Sequence, residues 1–134
     1  MLIILDTHVL IWLVEGRDEL GQSARRIVDK GAKADQLSVS AISFWEIAML
    51  RHRGRLRVAQ PLNTWRLQVL QLGVFEMPVN GEIGIAAAAI PDFHPDPADR
   101  IITATAILHR ATLVTADDRI LSWPGSLPRQ DARI

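Results

Sequence analysis

Four short, mainly apolar runs sit at wide intervals along the chain: LIIL at Leu2 to Leu5, LSV at Leu37 to Val39, VFEMPV at Val74 to Val79, and ATLVT at Ala111 to Thr115. Continuous apolar residues suit strands covered on both faces, as in a parallel sheet. Parallel strands cannot be joined by tight hairpins, so each connection must be long enough to hold a helix. The intervals meet that requirement. They carry the helical patterns THVLIWLVEG and QSARRIVDKGAK, then SAISFWEIAMLRHR and LNTWRLQVLQLG, then GEIGIAAAAI and ADRIITATAILHR, with the short ADDRILSW after the last run. Gly16, Gly54 and Gly73 stop helices, Pro61 opens one and Pro91 follows one. The pattern predicts an α/β domain with a mostly parallel sheet, and an irregular tail from Pro124 with a short edge strand.

The 134 residues suit a single domain, residues 1–134, and no repeat, linker or low-complexity tract divides them. There are no cysteines, which excludes disulfides and thiolate metal sites. Any metal would therefore be held by Asp, Glu, His or water, which favours hard cations such as magnesium or manganese. The formal net charge is zero, so nucleic-acid binding would have to come from a local patch. The opening MLIILDTHVLIWLV lacks a basic leader and is interrupted by Asp6 and His8, so neither a signal peptide nor a membrane span is expected, and the cytoplasm is the expected compartment.

Four acids stand out, and each has an ordinary explanation. Asp6 follows the first strand and could cap the next helix. Glu46 lies in an apolar helix; with Ser43 it has the spacing of a capping box, and with Ser43 and Arg53 that of a solvent-facing stripe. In DPAD, Asp96 suits a helix cap, Pro97 the first helical position, and Asp99 the first turn, where an acid meets the positive end of the helix dipole. Asp117 and Asp118 would be first-turn acids after the fourth strand, with Thr115 able to cap.

Taken together they read differently. Asp6 and Asp117 lie just past the carboxyl ends of strands, Glu46 about two turns into the helix after the second, and Asp99 at the start of the helix that feeds the fourth. In a parallel sheet, ligands bind at that edge. Four carboxylates brought together there repel one another unless a cation sits among them or some are protonated. Hard oxygen ligands with water positions left open make a magnesium or manganese site, and two such ions can activate water and stabilise the leaving oxygen of a phosphodiester.

LDTHVLIWL, SAISFWEIAMLRHRGRL, DPADRIITATAI and LVTADDRIL together resemble the PIN-domain family, specifically the VapC-type toxin ribonucleases of type II toxin–antitoxin pairs. The resemblance runs through nearly the whole chain in the right order. It implies a three-layer α/β/α sandwich around a central parallel sheet, and a metal-dependent endoribonuclease. Asp6, Glu46, Asp99 and Asp117 match the family's four acidic positions as catalytic and metal-binding residues. Mg2+ or Mn2+ is the implied cofactor. RNA is the implied substrate, a cognate antitoxin the implied partner, and a homodimer the implied assembly. Water attack would leave 5′-phosphate and 3′-hydroxyl ends. Ala98 stands where many relatives carry an aromatic, an expected change in packing.

Thr7 and Thr115 are read either as helix caps or as hydroxyls supporting the acids, and Arg100 as pairing with an acid or meeting a phosphate. RHRGRLR, Arg51 to Arg57, is the one strongly basic run; it suits RNA phosphates or a partner, beyond what a helix end needs. His8, His52, His94 and His109 share no ligand spacing and are expected to be structural or at the surface. Trp12, Trp45, Trp65 and Trp123 are expected in the core or at a dimer interface. The competing readings are a PIN-fold nuclease acting on DNA or other structured nucleic acid, and an inactive PIN-like binding module. A receiver-type nucleotide binder lacks support because no glycine-rich phosphate loop is present.

Overall fold

The computed structural model describes residues 1–134. Five strands, β1 (Ile3–Leu5), β2 (Leu37–Ser40), β3 (Phe75–Met77), β4 (Thr112–Thr115) and β5 (Arg129–Asp131), form one sheet in the order β3-β2-β1-β4-β5. Every neighbouring pair is parallel. Seven helices join them: α1 (Thr7–Glu15), α2 (Gln22–Lys33), α3 (Ala41–His52), α4 (Leu62–Gln71), α5 (Gly81–Ala89), α6 (Pro97–Leu108) and α7 (Asp118–Leu121). The expected edge strand in the tail is present as β5.

The sheet is covered on both faces, which is why its strands read as apolar runs. Ile3 and Leu5 of β1, with Leu37, Val39 and Val114, pack against Val9, Val28, Ile47 and Val69 of α1 to α4. Ile4 and Leu113 point the other way, onto Ile83, Ala87, Ile102 and Ile120 of α5 to α7. This is the three-layer α/β/α sandwich.

Strand order fixes where a site can form. The chain runs outward from β1 through β2 to β3, then crosses back to β4 and β5. The direction of winding reverses between β1 and β4, and in open α/β sheets the crevice beyond such a point is where ligands bind. Asp6 and Thr115 stand at the carboxyl ends of those two strands. One close approach ties the tail to the first half: Gly21 N donates to Ala132 O at 2.8 Å, and a Cβ on Gly21 would fall 2.3 Å from the Ile134 backbone. No helix is long and apolar enough to cross a membrane.

Candidate active site

Asp6 is the innermost acid, 2% exposed at the end of the central strand. Its Oδ1 accepts from Thr7 N at 2.8 Å and its Oδ2 from Thr115 Oγ1 at 2.7 Å. The Thr115 hydroxyl also accepts from Asp117 N at 3.0 Å, so one side chain locks the acids that follow β1 and β4 to each other. The cap of α7 is Asp117, whose Oδ1 accepts from Arg119 N at 2.9 Å, and not Thr115, which supports the acids instead. His8 closes the near side: its Nε2 accepts from Ala116 N at 3.0 Å, which leaves the ring proton on Nδ1, 3.7 Å from Asp6 Oδ2.

Glu46 is carried in by α3, whose cap is Ser40, accepting from Ile42 N. That corrects both ordinary readings of Glu46. Ser43 is completely buried, neither capping nor facing solvent, and lies 2.8 Å from Thr7 Oγ1. Thr7 also hydrogen-bonds Glu46, so a chain of hydroxyls aims the carboxylate at the sheet edge. Burial raises the pKa of Glu46, the Thr7 bond opposes this, and the charges of Asp6 and Asp96 add to the rise.

The start of α6 brings two more acids. Asp96 caps the helix, its Oδ1 accepting from Ala98 N at 2.9 Å and Asp99 N at 3.2 Å. Asp99, 7% exposed, is thereby fixed at the edge. Burial, then the charges of Asp6, Asp96, Asp117 and Glu46, push its pKa from an ordinary 3.8 to about 8. Those four causes name the cluster: five carboxylates converge where four were expected, the fifth being Asp96. Carboxylate oxygens of Glu46, Asp96 and Asp99 lie within 4.8 Å of one another.

Asp117 completes the far side. Burial would raise its pKa, but the Arg119 guanidinium, bonded at 3.0 Å, and the Arg119 amide outweigh that and lower it. Asp118 turns outward, 80% exposed, and pairs with Arg133 at 2.7 Å. Of the adjacent pair, only Asp117 faces the cluster.

His94 departs from expectation. It lies at the cluster, its Nε2 3.2 Å from Asp99 Oδ2. Burial, with Arg119 and Arg100 nearby, lowers its pKa against the pull of Asp117 and Asp96. Arg100, by contrast, meets neither acid nor open site. Its guanidinium donates to the carbonyls of His94, Ala87, Ile90 and Phe93 at 2.7–3.3 Å. Trp45 is not a core residue: it is 55% exposed on α3. With Met49, Arg53, Ala98 and the two acids Glu46 and Asp96, it lines a cleft of about 230 Å³ beside the cluster. Nothing in the spacing of His94 or Trp45 announced these positions; they depend on how α3 and α6 meet.

The donor set fits a hard divalent cation. It is almost wholly carboxylate, its two inner members Asp6 and Asp99 are shielded from water, and burial with the neighbouring charges drives Asp99 toward protonation when no cation is present.

Comparisons with known proteins place the chain by sequence and by fold. The PIN domain family model matches residues 3–123. The chain is 38% identical over 121 residues to Ribonuclease VapC22 of Mycobacterium tuberculosis, covering 90% of each. Its fold is similar to a chain of VapBC2 from Rickettsia felis, solved bound to a DNA fragment from their promoter (TM-score 0.69, 17% identity, 97% and 98% of the two chains). It is also similar to a chain of FitAcB from Neisseria gonorrhoeae (TM-score 0.66, 23% identity, 98% of each).

Proposed function

The chain belongs to the PIN domain family, and from that premise we propose that it is a magnesium- or manganese-dependent endoribonuclease, the toxin of a toxin–antitoxin pair. The observation that carries the reading is the convergence of Asp6, Glu46, Asp96, Asp99 and Asp117 at the carboxyl edge, with Asp99 raised to about 8 by burial and then by the charges of the other four. The ribonuclease named among the relatives supports RNA as the substrate.

In this reading Asp6, Glu46, Asp99 and Asp117 hold the metal, and Asp96 sets the position of Asp99 through the helix cap. A bound divalent cation supplies a water of lowered pKa and screens the charge of the phosphodiester. The protein's own part is positional. Thr115 and the Thr7 amide fix both oxygens of Asp6, and Thr7 holds Glu46. The cleft beside Trp45 and Arg53 receives a nucleotide next to the scissile phosphate, the indole face stacking on a base. Beyond it, Arg53, Arg55 and Arg57 are exposed and meet the phosphate backbone. A cognate antitoxin and a second copy of the chain are the partners, and the cytoplasm the compartment.

The test is cleavage. Purified protein free of antitoxin is mixed with mixed-sequence RNA in magnesium or manganese, and in chelator, beside Asp99→Asn. The expected result is metal-dependent cutting that leaves 5′-phosphate ends and falls at least 100-fold in a folded Asp99→Asn. Equal cutting in chelator, or by the variant, would overturn the reading. Preferential cutting of DNA in the same assay would favour the alternative nuclease.

A further inference from the structure

We propose that the His94 imidazole donates a nitrogen to a cation position shared with Asp99 and Asp117, making one end of the acid cluster a mixed nitrogen–oxygen site that takes manganese in preference to magnesium. The inference rests on the metal-site reading above and adds a ligand to it.

Both ring nitrogens of His94 are shielded from solvent, and neither has a hydrogen-bond partner. Shielded, unpaired nitrogens call for a ligand or an ion even though the His94 side chain is 11% exposed, because buried polar atoms are almost always paired. Nε2 stands 3.2 Å from Asp99 Oδ2, but the two are not aligned as a hydrogen bond. The spacing instead suits two donors on one ion: ligands at right angles, with bonds of about 2.1 Å, stand ~3 Å apart. One donor atom from each of His94, Asp99 and Asp117 lies within 4.8 Å of the others.

The ring is held where it is. It stacks on Phe93 with centroids 4.6 Å apart and planes 24° from parallel. Phe93 in turn meets Trp123 edge-on at 5.8 Å, and the His94 carbonyl accepts from Arg100 Nε at 3.0 Å. Stacking and the backbone contact, rather than a hydrogen bond to the ring, therefore preorganise the imidazole, which loses little freedom on binding. The competing cation is Arg119, whose Nη2 lies 3.0 Å from Asp117 Oδ2 and 3.7 Å from Asp99 Oδ2. Its side chain is 61% exposed and free to turn into solvent.

The two ends of the cluster therefore differ. Asp99 shares one group with Glu46 and Asp96, all oxygen, and another with His94 and Asp117. Magnesium prefers oxygen donors, whereas manganese accepts imidazole more readily. His8, the other histidine at the site, already uses Nε2 to accept from Ala116 N.

The experiment is electron spin echo envelope modulation of Mn2+ bound to the full chain without RNA, with a continuous-wave titration for affinity. Wild type and His8→Gln are expected to carry the 14N modulation of one coordinated imidazole. His94→Gln loses that modulation, and its manganese-over-magnesium preference falls about tenfold. Bound manganese with no 14N modulation in the wild type overturns the His94 assignment and leaves the carboxylate site standing. Modulation lost in His8→Gln but kept in His94→Gln overturns it also. No manganese binding by the wild type removes the metal-site reading itself. If His94→Gln fails to fold, the wild type and His8→Gln decide: imidazole modulation kept in His8→Gln assigns it to His94, and modulation absent from the wild type or lost in His8→Gln overturns the assignment.

Discussion

Asp99 carries the conflict between stability and chemistry. Its pKa rises from 3.8 to about 8 on folding, through burial and then the four acids around it. Between those values the folded chain binds more protons at Asp99 than the unfolded chain does. Metal-free stability therefore falls as pH rises through that window, and the raised pKa of Glu46 acts in the same direction. Asp117, held low by Arg119, has the opposite sign: its contribution is present at neutral pH and lost as the carboxyl protonates in acid. Thermal melts in chelator should show the wild type weakening from about pH 5 to 8. Asp99→Asn should flatten that slope and gain about 1–2 kcal/mol at pH 8, roughly 5 °C in Tm. A variant that melts lower than the wild type across the range would contradict this. Thr115 is the other telling residue, since its hydroxyl serves Asp6 and Asp117 together. Thr115→Val should cost about 1–2 kcal/mol and slow cleavage about 10–100-fold, measured by denaturant unfolding and initial rates.

At the scale of elements, the segment that decides the site is the approach to α6. Asp96 and Pro97 start the helix as the sequence suggested, and that start fixes Asp99. The loop before it is organised by Arg100, which gathers four carbonyls from residues 87 to 94. Arg100→Leu should leave those carbonyls unpaired, cost about 2–4 kcal/mol, and accelerate amide exchange across residues 90–96 while the α1–α2 layer stays protected. Unchanged exchange there would refute the role given to Arg100. The helices were legible because glycines, prolines and apolar periodicity act locally; α2 matches its expected span, Gln22 to Lys33. The cap of α3 was not. β2 continues through Ser40 by pairing with Met77, so the helix begins there, and α1 packs over Ser43 to bury it. His94 was equally hidden, since a loop residue has no period and its position depends on the carbonyls that Arg100 gathers.

For the whole molecule, strand order does what no single motif could. The acids were visible as residue types, and the parallel sheet as apolar runs, but their meeting depends on β1 lying between β2 and β4. Charge shows a similar division. The net charge is zero, yet acids gather at one edge while four arginines cluster between Arg51 and Arg57. RNA binding should therefore depend on salt through that run. Each of Arg53, Arg55 and Arg57 changed to Ala should lower the slope of log affinity against log salt by about 0.7–0.9, read by fluorescence anisotropy with a non-cleavable RNA. An unchanged slope would assign the run to a protein partner instead.

The proposed cation site of the converged carboxylates underlies every reading of this edge of the sheet. The most direct test is calorimetric titration of manganese into wild type and Asp99→Asn at neutral pH. Saturable binding by the wild type and at least tenfold weaker binding by a folded variant are expected. No binding by the wild type, or equal binding by both, would contradict the proposed site.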